Sequence, residues 1–206
     1  MRLAKTLYLL LAALVGVLIL VKSLDYLSPD FTRGFLLDKQ NIFPFYRFAL
    51  YAHIIGTPLA LFSGIYQFLF TRSRVHPFMG KIYVSSILLL AAPSGLVMSV
   101  YAIGGFISTV NFLLMSVLWF GFTMLAYRHI KSGNLSQHRQ FMTRSFILTN
   151  SAILIRLFSF INNHYQLTDV TTGYILISWL SWLPVVLFYE CHLFRKRRSG
   201  NNSNAG

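Results

Sequence analysis

FALYAHIIGTPLALFSGIYQFLF, residues 48–70, runs for 23 residues without a lysine, arginine, aspartate or glutamate. Crossing the hydrocarbon core of a bilayer takes roughly 20 apolar residues at a rise of about 1.5 Å each. The stretch is therefore read as a membrane-spanning helix. Four more segments reach or approach that length: 82–103, 106–127, 145–161 and 174–194. A sixth, 7–21, is shorter, with Lys5 and Lys22 placed to snorkel to the interfaces. The expected fold class is all-α, a polytopic membrane bundle of six transmembrane helices.

Composition supports this. Only 11% of the 206 residues are charged, where a soluble domain carries about 25%. The net charge of +13 does not point to nucleic acid, because so apolar a chain has no basic face for a duplex. The expected partner is the lipid bilayer, with a membrane-protein partner as an open alternative. Cys191 is the single cysteine and cannot form an internal disulfide.

The chain reads as one membrane domain in five parts. Residues 1–24 form an uncleaved signal anchor, since Val-Lys-Ser-Leu-Asp (21–25) offers no small-x-small cleavage site. Residues 25–47, with Pro29, Gly34 and Pro44, form an external connection. Residues 48–165 hold a four-helix core, 166–194 the sixth helix, and 195–206 a basic and then disordered tail. Gly104-Gly105 marks a tight hairpin, and Pro58, Pro93 and Pro184 are expected to kink or unwind their helices.

Charge sets the orientation. Arg2, Lys5, Arg72, Arg74, Lys81, Arg128, Lys131, Arg139, Arg144 and 195–198 fall on one side, thirteen of the eighteen Lys and Arg. Lys22, Arg33, Lys39 and Arg47 fall on the other, with Asp25, Asp30, Asp38 and Asp169. The positive-inside bias then expects both termini in the cytoplasm, in a bacterial inner membrane.

Polar residues inside the spans are the candidates for function. An arginine at a helix centre costs about 2.5–3.5 kcal/mol on insertion scales, so it faces a partner or a cavity. Arg156 shares a stripe with Ser145, Thr149, Ala152, Ser159 and Asn163, at helical spacing. The second span carries a matching stripe of His53, Gly56, Thr57, Ala60, Gly64 and Gln67, whose small residues permit close helix approach. His53 and Arg156 both fall roughly 8–9 Å below the outer helix ends. His53, Arg156 and Gln67 are the candidate ligand-binding set, and the absence of a neighbouring carboxylate favours an anion. The plain alternative is that Arg156 caps carbonyls and His53 bonds across helices.

Three histidines gather at the inner side: His76, His129 and His138. Neutral imidazole ligates haem iron, and a histidine pair joins two helices across the porphyrin. His76 and His138 enter alternate helices from one side and are the candidate iron ligands, with His53 as a further cofactor-binding candidate. The plain alternative is an interfacial histidine with no ligand. Asn111 is read as a member of the polar lining. Phosphate loops, G-x-G-x-x-G, H-E-x-x-H, C-x-x-C and G-x-S-x-G are all missing. No catalytic residue is assigned.

His53 with Gly56, Gly64-Ile-Tyr-Gln67-Phe, His76-Pro-Phe-Met-Gly80-Lys-Ile-Tyr83, Gly104-Gly105-Phe106, His138-Arg-Gln-Phe-Met142-Thr-Arg144-Ser145 and Ile155-Arg156-Leu157 form an ordered series. The series resembles a family of predicted bacterial membrane proteins, domain of unknown function 2306, over about residues 45–165. The chain departs from the family pattern at Pro77, where arginine is usual, and at Phe141, where tryptophan is usual. The resemblance implies the architecture and carries no assigned activity. The four-helix core is similar, by analogy only, to membrane cytochromes of the b561 type. The expected function is haem b binding for transmembrane electron transfer. The alternatives are a carrier or sensor of a small anionic or lipidic ligand, or an accessory subunit of a membrane complex.

Overall fold

The computed structural model describes residues 2–32, 36 and 39–202. The readings of Arg33, Gly34 and Asp38, and of the tail beyond 202, lie outside the described residues. Among those described, the regular structure is helical: α1 (Arg2–Ser23), α2 (Phe43–Leu69), α3 (His76–Ser85), α4 (Ala92–Ser99), α5 (Gly105–Lys131), α6 (Leu135–Tyr165), α7 (Val170–Leu180) and α8 (Leu183–Asn202). They make six runs long and apolar enough to cross a membrane. The third run is α3 and α4 joined by a π-helical turn, Ser86–Ala91, and the sixth is α7 followed by α8.

Local chemistry explains the ends. Pro44 starts α2 instead of lying in a loop, because a first-turn position has no intrahelical use for its missing N–H. Gly104 (φ 90°) and Gly105 (φ 64°) adopt the left-handed backbone that the turn into α5 demands. Asn134 and Asp169 cap α6 and α7 by accepting from Gln137 N at 3.1 Å and Thr172 N at 2.9 Å. That bond holds the Asp169 carboxyl below the ordinary aspartate value.

Two expected boundaries move. α6 begins at Leu135, so His138 stands within the helix and not in a preceding loop. α8 continues through residues 199–202, where a disordered tail was expected; extending an existing helix costs far less than nucleating one.

The three prolines act differently. α2 passes Pro58 without a break, with the Thr57 hydroxyl donating to His53 O at 2.8 Å. Pro93 cannot donate to Leu89 O, and just before it the Ala92 N–H reaches Ile87 O, five residues back. At Pro184 the sixth run breaks, with a turn at Ser181 and Trp182 between α7 and α8.

Successive spans run antiparallel, as the cross-links show. Along α5 and α6, Trp119 meets Thr149, Thr123 meets Ser145, and Ala126 meets His138. Small residues set the closest approach. A Cβ on Gly56 would stand 2.7 Å from Leu90 Cβ and 2.9 Å from Ala91 N; one on Gly64 would strike the rings of Phe146 and Tyr83. Tyr83, Ile87, Ala91, Ala92 and Ala126 are fully buried around these crossings. Dispersion at close range holds such a bundle, since lipid offers no hydrophobic penalty for separation.

Candidate functional site

The interior is unusually hydroxylated. Tyr83 Oη lies 2.8 Å from Ser145 Oγ and 2.9 Å from Thr149 Oγ1, and Thr123 Oγ1 lies 2.7 Å from Ser145 Oγ. Trp119 Nε1 donates to Thr149 Oγ1 at 3.2 Å. Five hydrogens serve the six contacts of this group. Thr149 and Thr123 donate to the carbonyls of Ser145 and Trp119, and the hydrogens of Ser145 and Tyr83 go to the hydroxyls around them. No donor is left for a ligand, so this knot fixes how α3, α5 and α6 meet. Its α6 members, Ser145 and Thr149, are the inner part of the expected stripe. The α5 members were missed, although Trp119 and Thr123 are four residues apart on one helix face.

At the end of the bundle nearest the turn of 100–104, α2 presents His53. Its Nδ1 lies 3.1 Å from both Ala91 O and Ser94 Oγ, at the junction of the π-helical turn and α4. A carbonyl only accepts, so Nδ1 carries a hydrogen, and in the neutral ring Nε2 presents its lone pair. Arg156 of α6 is close enough to act electrostatically on His53 and on Tyr26. It is exposed and donates once to Ala152 O at 3.0 Å, and among the described residues it makes no ion pair. That bond uses one of the five N–H donors of the guanidinium.

Three tyrosines complete the cluster. Tyr26 is within electrostatic reach of Tyr46 and Tyr174 as well as Arg156, and of the exposed Asp25 beside it in sequence. Tyr46 is 1% exposed, with its ring edge-on to Tyr101. The cluster therefore draws on spans one, two, five and six. Sequence reading did not reach these tyrosines, because tyrosine at a span end is the ordinary furnishing of a membrane interface. Asn163 is exposed, and its neighbour Asn162 is buried instead, accepting from Thr168 at 2.8 Å.

Gln67 is not part of this cluster. It stands fourteen residues along α2 from His53, about 21 Å at the helical rise. Its amide donates to the carbonyl of His76 and packs against Gly80. Its role is to tie α2 to the start of α3.

His76, His129 and His138 line the other end. His138 Nδ1 lies 2.9 Å from Ala126 O, so that nitrogen donates and Nε2 of the neutral ring is left as a base. His76 Nδ1 is buried without a hydrogen-bond partner among the described residues. His129 stacks on Phe141 at 5.4 Å. No group of three or more His, Cys, Asp and Glu side chains that could hold a metal ion occurs among the described residues. At the same end Arg144, buried against the faces of Phe141, Tyr189 and Phe122, holds Glu190 through Nε at 2.5 Å and Nη2 at 2.9 Å. This pair joins α6 to α8 and was not foreseen.

The comparisons with known proteins agree with the architecture. A family model described as "Predicted membrane protein (DUF2306)" matches residues 50–193, and so reaches through the sixth span. It extends past the 45–165 region on which the resemblance rested. No curated relative and no solved structure matches the chain. With its family model matched over more than half its length and six apolar helices in place, the chain belongs to the DUF2306 family of predicted membrane proteins.

Proposed function

We propose that Arg156, His53, Tyr26, Tyr46 and Tyr174 form a vestibule in which the protein binds an anionic amphipathic molecule, as a carrier or sensor. The observation that carries this reading is Arg156: an intramembrane guanidinium with no ion pair among the described residues and one hydrogen bond, to a carbonyl of its own helix. Such a residue marks a ligand or ion site by default. A guanidinium suits carboxylate or phosphate oxygens, which accept its paired N–H groups. The proposal includes the orientation read from charge, with both termini cytoplasmic and the vestibule on the outer side.

Thermal unfolding in detergent tests it. Octanoate at sub-micellar concentration is expected to raise the transition of the wild type, and octylamine, with the same tail and the opposite charge, is not. Arg156→Leu is expected to abolish the octanoate effect, and Arg156→Lys to keep part of it. Equal responses to octanoate and octylamine would sink the reading.

A second reading, haem binding by His76 and His138, is supported by the Nδ1–H bond of His138, the arrangement that fixes a ligating imidazole. An absorption spectrum of protein from haem-replete cells decides it: a Soret band is expected, and a haem-free spectrum unchanged by haem addition rejects it.

A further inference from the structure

The buried face of α5 carries two donors that no other group uses. Ser108 and Asn111 are each 0% exposed and stand one turn apart. Ser108 Oγ and Asn111 Nδ2 have no hydrogen-bond partner among the described residues. Turning the Asn111 amide round would not cure this. Its Oδ1 accepts from Trp182 Nε1 at 2.9 Å, and an indole can only donate, so Nδ2 and both its hydrogens face the other way.

These donors sit at a particular place on the helix. α5 is 27 residues long and begins at Gly105, after Gly104, which offers no side-chain cap. Ser108 Oγ points back at that end, lying 2.6 Å from where a Cβ of Gly104 would be. The first turn of a helix holds unpaired N–H groups and a partial positive charge, which favour an anion. The same face of α5 touches the vestibule on two sides. Phe112, beside Asn111, packs on Tyr174 at 5.8 Å. Ser116 Oγ lies against Gly95, whose other neighbour is His53 Cε1.

Resting on the vestibule reading, we infer that Ser108 and Asn111 form an inner subsite that takes the oxyanion head of the ligand, a carboxylate or phosphate oxygen. The donor set selects the sign. Asn111 has committed its one acceptor to Trp182, so its remaining group is an N–H pair, one turn further along α5 than the Ser108 hydroxyl at the helix start. A cation finds no fixed charge there to hold it.

Trp182 is a built-in reporter, because its indole N–H is bonded to the same amide. In full-length protein labelled with 15N-tryptophan, the indole signals of Trp119, Trp179 and Trp182 are assigned with Trp119→Phe and Trp179→Phe. Sodium acetate, titrated against sodium chloride at equal ionic strength, is expected to move the Trp182 signal saturably and more than the other two. Ser108→Ala is expected to weaken the midpoint by up to about tenfold, the worth of one hydrogen bond. Asn111→Asp keeps the acceptor for Trp182 but replaces the N–H pair with oxygen, and is expected to remove the response while the indole bond persists. Nanodiscs of phosphatidic acid, compared with phosphatidylcholine, distinguish a lipid head from a free carboxylate: a Trp182 shift there alone assigns the subsite to lipid phosphate. A Trp182 signal unmoved by acetate and by phosphatidic acid overturns the subsite. If octanoate still stabilises the protein in that case, the vestibule stands without it; if octanoate also fails, both fall.

Discussion

Arg144 and Glu190 show how much a single side chain can decide in this bundle. Read along the chain, Arg144 is one of many basic residues near a helix end, and Glu190 an isolated acid. In the fold they form a two-point bond between α6 and α8, across 46 positions of sequence. The arginine side chain is 10% exposed and the glutamate 42%, so solvent screens part of the attraction. Arg144→Met is expected to lower stability by about 1–3 kcal/mol. Glu190→Gln is expected to cost less, since its amide oxygen still accepts one of the two bonds. A double-mutant cycle of thermal unfolding in detergent is expected to give a coupling of about 1 kcal/mol. A coupling of zero would mean that α8 is held by packing alone.

At the scale of elements, the crossing of α2 with the third span organises the vestibule end. Pro93 deprives Leu89 O of its donor, and the helix widens into a π turn just before it. Ala91 O then accepts from His53 Nδ1 and from Ser94 Oγ at 3.0 Å. Gly56 brings α2 close enough for this. Gly56→Ala would set a methyl 2.9 Å from a backbone nitrogen that cannot rotate away. An expected loss of about 1–3 kcal/mol follows from overpacking. Gly121→Ala has nothing within 4 Å of its new methyl and is expected to be neutral or to stabilise by up to about 1 kcal/mol through helix propensity. Comparing the two melting curves checks the crossing. Equal effects would mean that the crossing tolerates a wider separation.

At the scale of the whole molecule, the question is which face meets the cytoplasm. Cys191, the single cysteine, is exposed beside Glu190 at the basic end. Under the proposed orientation, a membrane-impermeant maleimide added to intact cells is expected to leave Cys191 unlabelled. Asp169→Cys in a Cys191→Ser background is expected to label readily. The reverse pattern would invert the protein and place the vestibule in the cytoplasmic half.

Six spans and the division of charge between two sides were legible in the sequence. Apolar length and loop charge are sums over neighbouring residues, and a bilayer reads both locally. Gly104-Gly105 and the small residues of α2 were legible for the same reason: a turn or a close approach demands a residue type at its own position. Which polar groups meet was decided only by the tertiary structure. His53 and Arg156 were paired by depth, and their hydrogen bonds run elsewhere, from His53 to Ala91 and Ser94 and from Arg156 to Ala152. Gln67 shared a stripe with His53 yet stands at the other end of the helix. Trp182 finds Asn111 across 71 positions, and Tyr83 finds Ser145 across 62. Such pairings depend on how each helix is rotated and on which neighbour it packs against. Those are outcomes of side-chain shape across the whole bundle, and no local stretch of sequence encodes them.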